Sequence, residues 1–174
     1  PAGERTTSFA DVKKGTWYYD SVAYLEQLGL IYGTDDGTFQ PDRAITRAEF
    51  AAMLMRFFVE ERFDGDPIFS DLNKTHWAYE LINSAHAYGY VQGYTDGTFG
   101  PDQKIRRAEA VVMVNRVLHR KGDKEYILSH LSELRTFPDV TTSHWAYAEI
   151  MEAANGHEHA RELDGTERWS DGEK

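Results

Sequence analysis

Arginine and glutamate recur in this chain as a fixed unit: Arg47-Ala48-Glu49 returns as Arg107-Ala108-Glu109. A guanidinium fork grips a carboxylate through two parallel hydrogen bonds, and a charge-assisted bond contributes roughly 1.5–3 kcal/mol. Both arginines fall in the first turn of an expected helix, where free backbone N–H groups and the helix dipole favour an anion. The alternative is that each arginine pairs with an acidic residue of a neighbouring segment and holds the chain together. Glu49 and Glu109 suggest the paired carboxylates of glycoside hydrolysis. A residue repeated once per unit, however, lies in separate places rather than across one bond, and helix capping accounts for Glu49. No catalytic residue is assigned and no enzyme is expected. His157-Glu158-His159 offers two metal ligands, but this spacing does not put them on one helical face, and the chain has no cysteine. Asp35-Asp36-Gly37 lacks the alternating acidic ligands of a calcium loop and reads as a turn. We therefore expect neither a metal nor a cofactor.

The elements that position these residues follow from an internal repeat. Residues 9–56 match residues 69–116 at a constant offset of 60, with 19 of 48 positions identical. The shared residues include Phe9/Phe69, Asp11/Asp71, Trp17/Trp77, Gly29/Gly89, Gly33/Gly93, Pro41/Pro101 and the run Asp36-Gly37-Thr38-Phe39 against Asp96-Gly97-Thr98-Phe99. A third copy opens at Phe137-Pro138-Asp139-Val140 and reaches Trp145, then loses both the Asp-Gly-Thr-Phe run and the Arg-Ala-Glu unit. Repeats are expected at 9–58 and 69–118, with a partial or degenerate third at 137–174 that includes a polar tail.

Each full repeat predicts helix, loop, helix. Trp17, Val22, Leu25 and Leu28 have helical apolar spacing, and Gly29 and Gly33 mark the stop. Thr46 and Glu49 form a capping box ahead of Phe50, Met53, Leu54, Phe57 and Phe58. The second repeat follows with Trp77, Leu81, Ile82 and Ala85, then Ala110, Met113, Val114, Val117 and Leu118. Arg106 replaces the capping threonine there, which removes the cap and adds a cation. Linkers are expected at 57–68, with its Asp64-Gly65-Asp66-Pro67 break, and at 118–136. Ile127, Leu128, Leu131 and Leu134 predict a short helix at about 124–135. The tail from 156 is expected to be partly irregular, with Trp169 tied back to the body.

Composition sets outer limits. The chain has 174 residues, 41% hydrophobic and 28% charged, and a formal charge of −10. It is long enough to bury a core without covalent staples. The acidic balance argues against nonspecific nucleic-acid binding, and no apolar run reaches the ~20 residues of a membrane-spanning helix. The chain opens at Pro1 without a methionine, so we expect a processed product or an excised fragment, with any targeting signal outside it.

The ordered string Phe-x-Asp-Val, Trp, Gly-x-x-x-Gly, Asp-Gly-Thr-Phe-x-Pro-Asp and Ile-Thr-Arg-Ala-Glu resembles the S-layer homology (SLH) domain. It runs from Phe9 to Glu49 and again from Phe69 to Glu109, with Arg106 for threonine. The resemblance implies an all-α fold of tandem helix-loop-helix repeats in a pseudo-threefold arrangement. A central three-helix bundle would be formed by the first helices, here with the third lobe incomplete. It implies a monomer located outside the cell, at the wall or surface layer. There it would anchor a secreted protein noncovalently to secondary cell-wall polysaccharide, often bearing pyruvylated sugars. Peptidoglycan binding and a protein-interaction module of the envelope are the alternatives. It favours Arg47 and Arg107, helped by Arg106, as the groups that hold an anionic sugar substituent.

Other residues join this glycan-binding set with two readings each. Trp77 and Trp145, like Trp17, could stack on sugar faces, but core packing is the stronger expectation. Asp11 and Asp71, like Asp139, could accept from sugar hydroxyls or cap loop backbone, the second being favoured. Gly33 and Gly93 allow positive φ or close approach of a ligand. Tyr94 is a groove-lining aromatic, with Tyr32 as its counterpart by proximity.

Overall fold

The computed structural model describes residues 5–58, 66–163 and 167–170. The Phe58 side chain, Asp64, Gly65 and residues 171–174 lie outside them. Repeat 1 forms α1 (Tyr19–Gln27) and α2 (Arg47–Phe58), and repeat 2 forms α3 (Tyr79–Ala87) and α4 (Arg107–Val117). The third copy contributes α6 (Tyr147–Ala154), preceded by α5 (Lys124–Ser129). No helix among the described residues is long and apolar enough to cross a membrane.

The capping box ahead of α2 is complete. Thr46 Oγ1 accepts the Glu49 N–H at 3.1 Å, and the Glu49 carboxylate accepts the Thr46 N–H at 2.6 Å. Ahead of α4 only half the cap is lost. The Arg106 side chain carries donors alone and makes no cap bond, but Glu109 still accepts the Arg106 N–H at 2.8 Å.

Among the described residues, three apolar clusters hold the fold together. Phe9, Val12, Val22 and Ile31 pack within repeat 1. The largest cluster crosses the repeat boundary: Ala48, Ala51, Leu54 and Met55 of α2 pack with Phe69, Leu72, Ile82, Val91, Phe99 and Met113 of repeat 2. Helix α2 therefore lies against α3 and α4, while α4 lies against α6 and α5 against α6. Main-chain bonds stitch the same boundary. The Arg47 and Ala48 N–H groups donate to the Gln103 and Pro101 carbonyls at 2.9 and 3.0 Å, and Ile105 N–H donates to Ile45 at 3.1 Å. Thr46 and Lys104 form an antiparallel bridge.

The third segment departs from expectation twice. Helix α5 ends at Ser129 rather than near 135. The Ser129 hydroxyl turns back onto the Glu125 and Tyr126 carbonyls at 3.0 and 2.9 Å, an interaction that competes with helix propagation. Within the tail, expected to be partly irregular, β1 (Glu158–Arg161) pairs antiparallel with β2 (Glu167–Ser170), which adds a small two-stranded sheet to the helices. Trp169 is buried and its indole N–H donates to Glu152 at 2.8 Å, so the tail is tied back as expected. Its ring joins Ile127, Tyr147 and Met151 in the third cluster.

Candidate functional site

Two clefts repeat one design. The first, of about 410 Å³, is lined by Gly93, Tyr94, Arg106, Glu109, Met113 and Arg116 of repeat 2, with Arg47 from repeat 1 and Trp145 from the third segment. The second, of about 480 Å³, is lined by Gly33, Thr34, Glu49, Met53 and Arg56 of repeat 1, with Arg43 nearby and Trp77 from repeat 2. Each cleft is thus closed by the tryptophan of the following segment. The core expectation for these tryptophans is overturned: Trp77 is 59% exposed, Trp145 65% and Trp17 92%. The physical reason is their place on the turn before each first helix, which starts two residues later, at Tyr19, Tyr79 and Tyr147.

Arg47 and Arg107 are not equivalent. Arg47 is 3% exposed. Its Nη1 donates to Glu109 at 2.8 Å and its Nε to the Phe99 carbonyl at 2.8 Å. The guanidinium also lies 4.6 Å from the Tyr94 ring centre and 4.8 Å from that of Phe99. Its backbone N–H and that of Ala48, expected to be free for an anion, are occupied by repeat 2. Arg47 therefore joins repeats while presenting an edge to the first cleft. Arg107 is exposed. It lines a smaller cleft of about 200 Å³ with Phe137, Asp139 and His144, because the third segment lacks the counterparts of Phe99 and Glu109.

Glu109 is fully engaged. One oxygen accepts from Arg47 and from the Tyr94 hydroxyl at 3.0 Å, and the other caps α4. Burial, then the bond to Glu109, raises the Tyr94 phenol above its ordinary value. Glu49 is held by Arg43 through bonds of 2.9 and 3.2 Å. Burial pushes its carboxyl up, but Arg43 and the Thr46 N–H more than offset this and keep it low. Glu49 and Glu109 face different clefts, as their repetition predicts.

Asp11 and Asp71 serve loop backbone. Asp11 accepts from the Phe39 and Gln40 N–H groups at 2.8 and 2.7 Å, and Asp71 from Phe99 and Gly100 at 2.8 Å each. The Phe39 N–H above all holds the Asp11 carboxyl below its ordinary value. Neither aspartate lines the two large clefts. Gly33 adopts φ +66°, and a Cβ there would stand 2.5 Å from Phe9 Cε1 and from the Thr38 carbonyl oxygen. Gly93 has no left-handed φ. A Cβ there would collide with Phe69 and the Thr98 carbonyl. The close approach at both glycines comes from the repeat's own phenylalanine.

Residues 32 and 92 are repeat counterparts, and they are Tyr32 and Gln92. Each meets an arginine that composition and motifs did not single out. Arg56 lies 4.7 Å from the Tyr32 ring centre, and Arg116 donates to Gln92 at 2.9 Å. Burial lowers the Arg116 pKa from its ordinary value. The signal was present: Arg56 and Arg116 are identical at the offset of 60 and stand seven residues after Glu49 and Glu109, on the same helix face. The first cleft thus gathers three guanidiniums against one carboxylate, and the second gathers two against one.

The S-layer homology domain family matches residues 8–51 and 68–111. A cellulosome-anchoring protein of Acetivibrio thermocellus is 35% identical over 95% of this chain and 37% of its own length. Cell surface glycoprotein 1 of the same species is 35% identical over 88% of this chain and 7% of its own length. An endoglucanase of a Bacillus species is 36% identical over 77% of this chain and 14% of its own length. The chain spans little more than a third of the first of these relatives and a smaller share of the others. With both full repeats matched and one cleft design built twice, this chain belongs to the S-layer homology domain family.

Proposed function

We propose that this chain is a noncatalytic module that attaches a larger protein to the bacterial cell surface by binding wall glycan in its inter-repeat clefts. The observation that carries this reading is that both clefts are lined by an exposed indole and an arginine of a repeat's second helix: Trp145 and Arg116 in one, Trp77 and Arg56 in the other. An indole offers a flat apolar face to a sugar ring, and a guanidinium offers paired donors to an acidic substituent. This supports an anionic glycan, such as secondary cell-wall polysaccharide carrying pyruvate ketals, as the ligand. It also reconciles a net charge of −10 with an acidic ligand, because the clefts are locally cationic. The names of the relatives, which include cellulosome-anchoring and cell surface proteins, support the same location.

The first cleft is the principal site in this reading. It draws on all three segments, whereas the second takes both its arginines, Arg43 and Arg56, from repeat 1. We take 9–58, 69–118 and 137–174 as the repeat units and the chain as a monomer. Two clefts on one repetitive polymer would gain avidity of roughly 10²–10⁴ over one.

Cosedimentation with purified sacculi tests the proposal. Binding to intact walls that disappears once secondary polysaccharide is stripped is the expected result. Equal binding to both would transfer the assignment to peptidoglycan. Failure of the folded protein to bind sacculi from its own source would refute glycan anchoring and favour a protein partner.

A further inference from the structure

The hairpin that ends the chain brings His157, His159 and Glu167 together, and the anchoring function does not use them. Their ligand atoms all lie within 4.8 Å of one another. We infer that this cluster is a metal site of the zinc class, formed by His157 Nε2, His159 Nε2 and a carboxylate oxygen of Glu167. The i, i+2 spacing that separates two histidines on a helix places them on one face of an extended strand. His159 lies on β1, with His157 just before it, and Glu167 opens β2 opposite Arg161. The diagonal neighbour in an antiparallel pair is within reach on the same face.

The Glu167 carboxylate meets each imidazole through a different oxygen, at spacings near those around a tetrahedral ion. With metal–ligand bonds of about 2.0–2.1 Å, ligand atoms stand about 3.3–3.4 Å apart. Glu167 Oε1 is 3.3 Å from His159 Nε2, and Glu167 Oε2 is 3.5 Å from His157 Nε2. The His157 ring is oriented in advance. It stacks on Trp169 at 3.7 Å between ring centres, and its Nδ1 lies 2.9 Å from the Asn155 carbonyl. Donation from Nδ1 to that carbonyl leaves the Nε2 lone pair for a metal, the arrangement that outer-shell carbonyls impose on ligating histidines. Arg120 Nη2, which can only donate, approaches the same Nε2 at 3.5 Å.

The surrounding charges are of both signs. Glu152 Oε2 lies 3.3 Å from His157 Nε2 and accepts the Trp169 indole N–H. Arg161 donates to Glu167 at 3.0 Å, while Arg120 pairs with Glu152 and reaches Glu167 at 3.4 Å. Both guanidiniums compete with an ion for Glu167, so the ion binds by displacing Arg161, the more exposed of the two, on the side where exposed His159 opens to water. Water there can complete the coordination. Two imidazoles in a set of three select zinc, cobalt or nickel over calcium or magnesium. A bound ion would tie the two strands of the hairpin to the segment that leaves α6, in the place where the third repeat lacks its second helix.

Thermal unfolding of the whole chain, stripped with a chelator and titrated with Zn²⁺ alone, tests this. At a hundredfold excess over Kd the melting temperature should rise by about 5–10 °C. Ca²⁺ should give no rise. His159→Gln, which alters a partly exposed side chain, should abolish the zinc response and the visible absorption bands of bound Co²⁺. Absence of a zinc-induced rise overturns the assignment. So does a full rise in His159→Gln, or an equal response to Ca²⁺.

Discussion

Replacing Arg47 with alanine separates its two roles, tie between repeats and wall of a cleft. The side chain is 4% exposed and its ion-pair partner Glu109 11%. Breaking a buried pair from one side costs about 3–5 kcal/mol. Glu109 keeps the Tyr94 hydroxyl and the Arg106 N–H, which places the loss near the lower end, at about 3 kcal/mol. For a chain of this size that lowers the melting temperature by roughly 6–12 °C. Urea unfolding of the parent, Arg47→Ala, Glu109→Gln and the double variant should return a coupling energy of about 1–3 kcal/mol. Arg47→Lys should recover only part of the loss, because an ammonium cannot serve Glu109 and the Phe99 carbonyl in the fork geometry of a guanidinium. Exposed Arg107→Ala should stay within about 0.5 kcal/mol of the parent. Equal losses at Arg47 and Arg107, or an Arg47→Ala protein as stable as the parent, would refute the reasoning.

Three further outcomes are expected. Trp145→Ala should leave stability within about 1 kcal/mol but weaken sacculus binding roughly tenfold, whereas Trp17→Ala, which lines neither large cleft, should bind as the parent does in cosedimentation. Gly93→Ala should cost about 1–3 kcal/mol from overpacking, and Gly33→Ala about 1 kcal/mol more for its left-handed φ; both are read by urea unfolding. The folded chain holds Asp11, Asp36 and Glu49 below their ordinary pKa values. A carboxylate depressed in this way stabilises above its unfolded pKa and loses that contribution as pH falls through the folded value. The melting temperature should therefore decline below about pH 4, with a shallower decline in Asp11→Asn.

Local signals carried the helices well. Apolar spacing placed α1 to α4, and the Thr46–Glu49 pair marked the start of α2, because both are decided within a few residues. What the sequence hid depends on distant partners. Arg47 and Arg107 share the same Arg-Ala-Glu unit, yet one is buried by Phe99 and Glu109 and the other stands exposed where the next repeat ends early. The tryptophans looked like core because a helical stripe was extended back to include them, but the helix begins two residues later. The histidine pair was weighed on helical geometry, and the pairing of Glu158–Arg161 with Glu167–Ser170 made the segment a strand. Arg56 and Arg116 were legible through the repeat offset, though nothing in one copy alone distinguishes a cleft arginine from a solvated one.

The main-chain stitch at the start of α2 has a consequence for how the repeats can be handled. The amides of Arg47 and Ala48 are protected by carbonyls of a different repeat, so their hydrogen exchange reports the opening of the boundary rather than the fraying of a helix. In a nearest-neighbour description of repeat proteins, such a boundary contributes a coupling term that neither unit supplies alone. Repeat 1 expressed by itself would expose the Ala48, Ala51 and Met55 face of α2 and lose both protecting carbonyls. The two repeats should therefore open as one cooperative unit, and the smallest fragment worth isolating contains both.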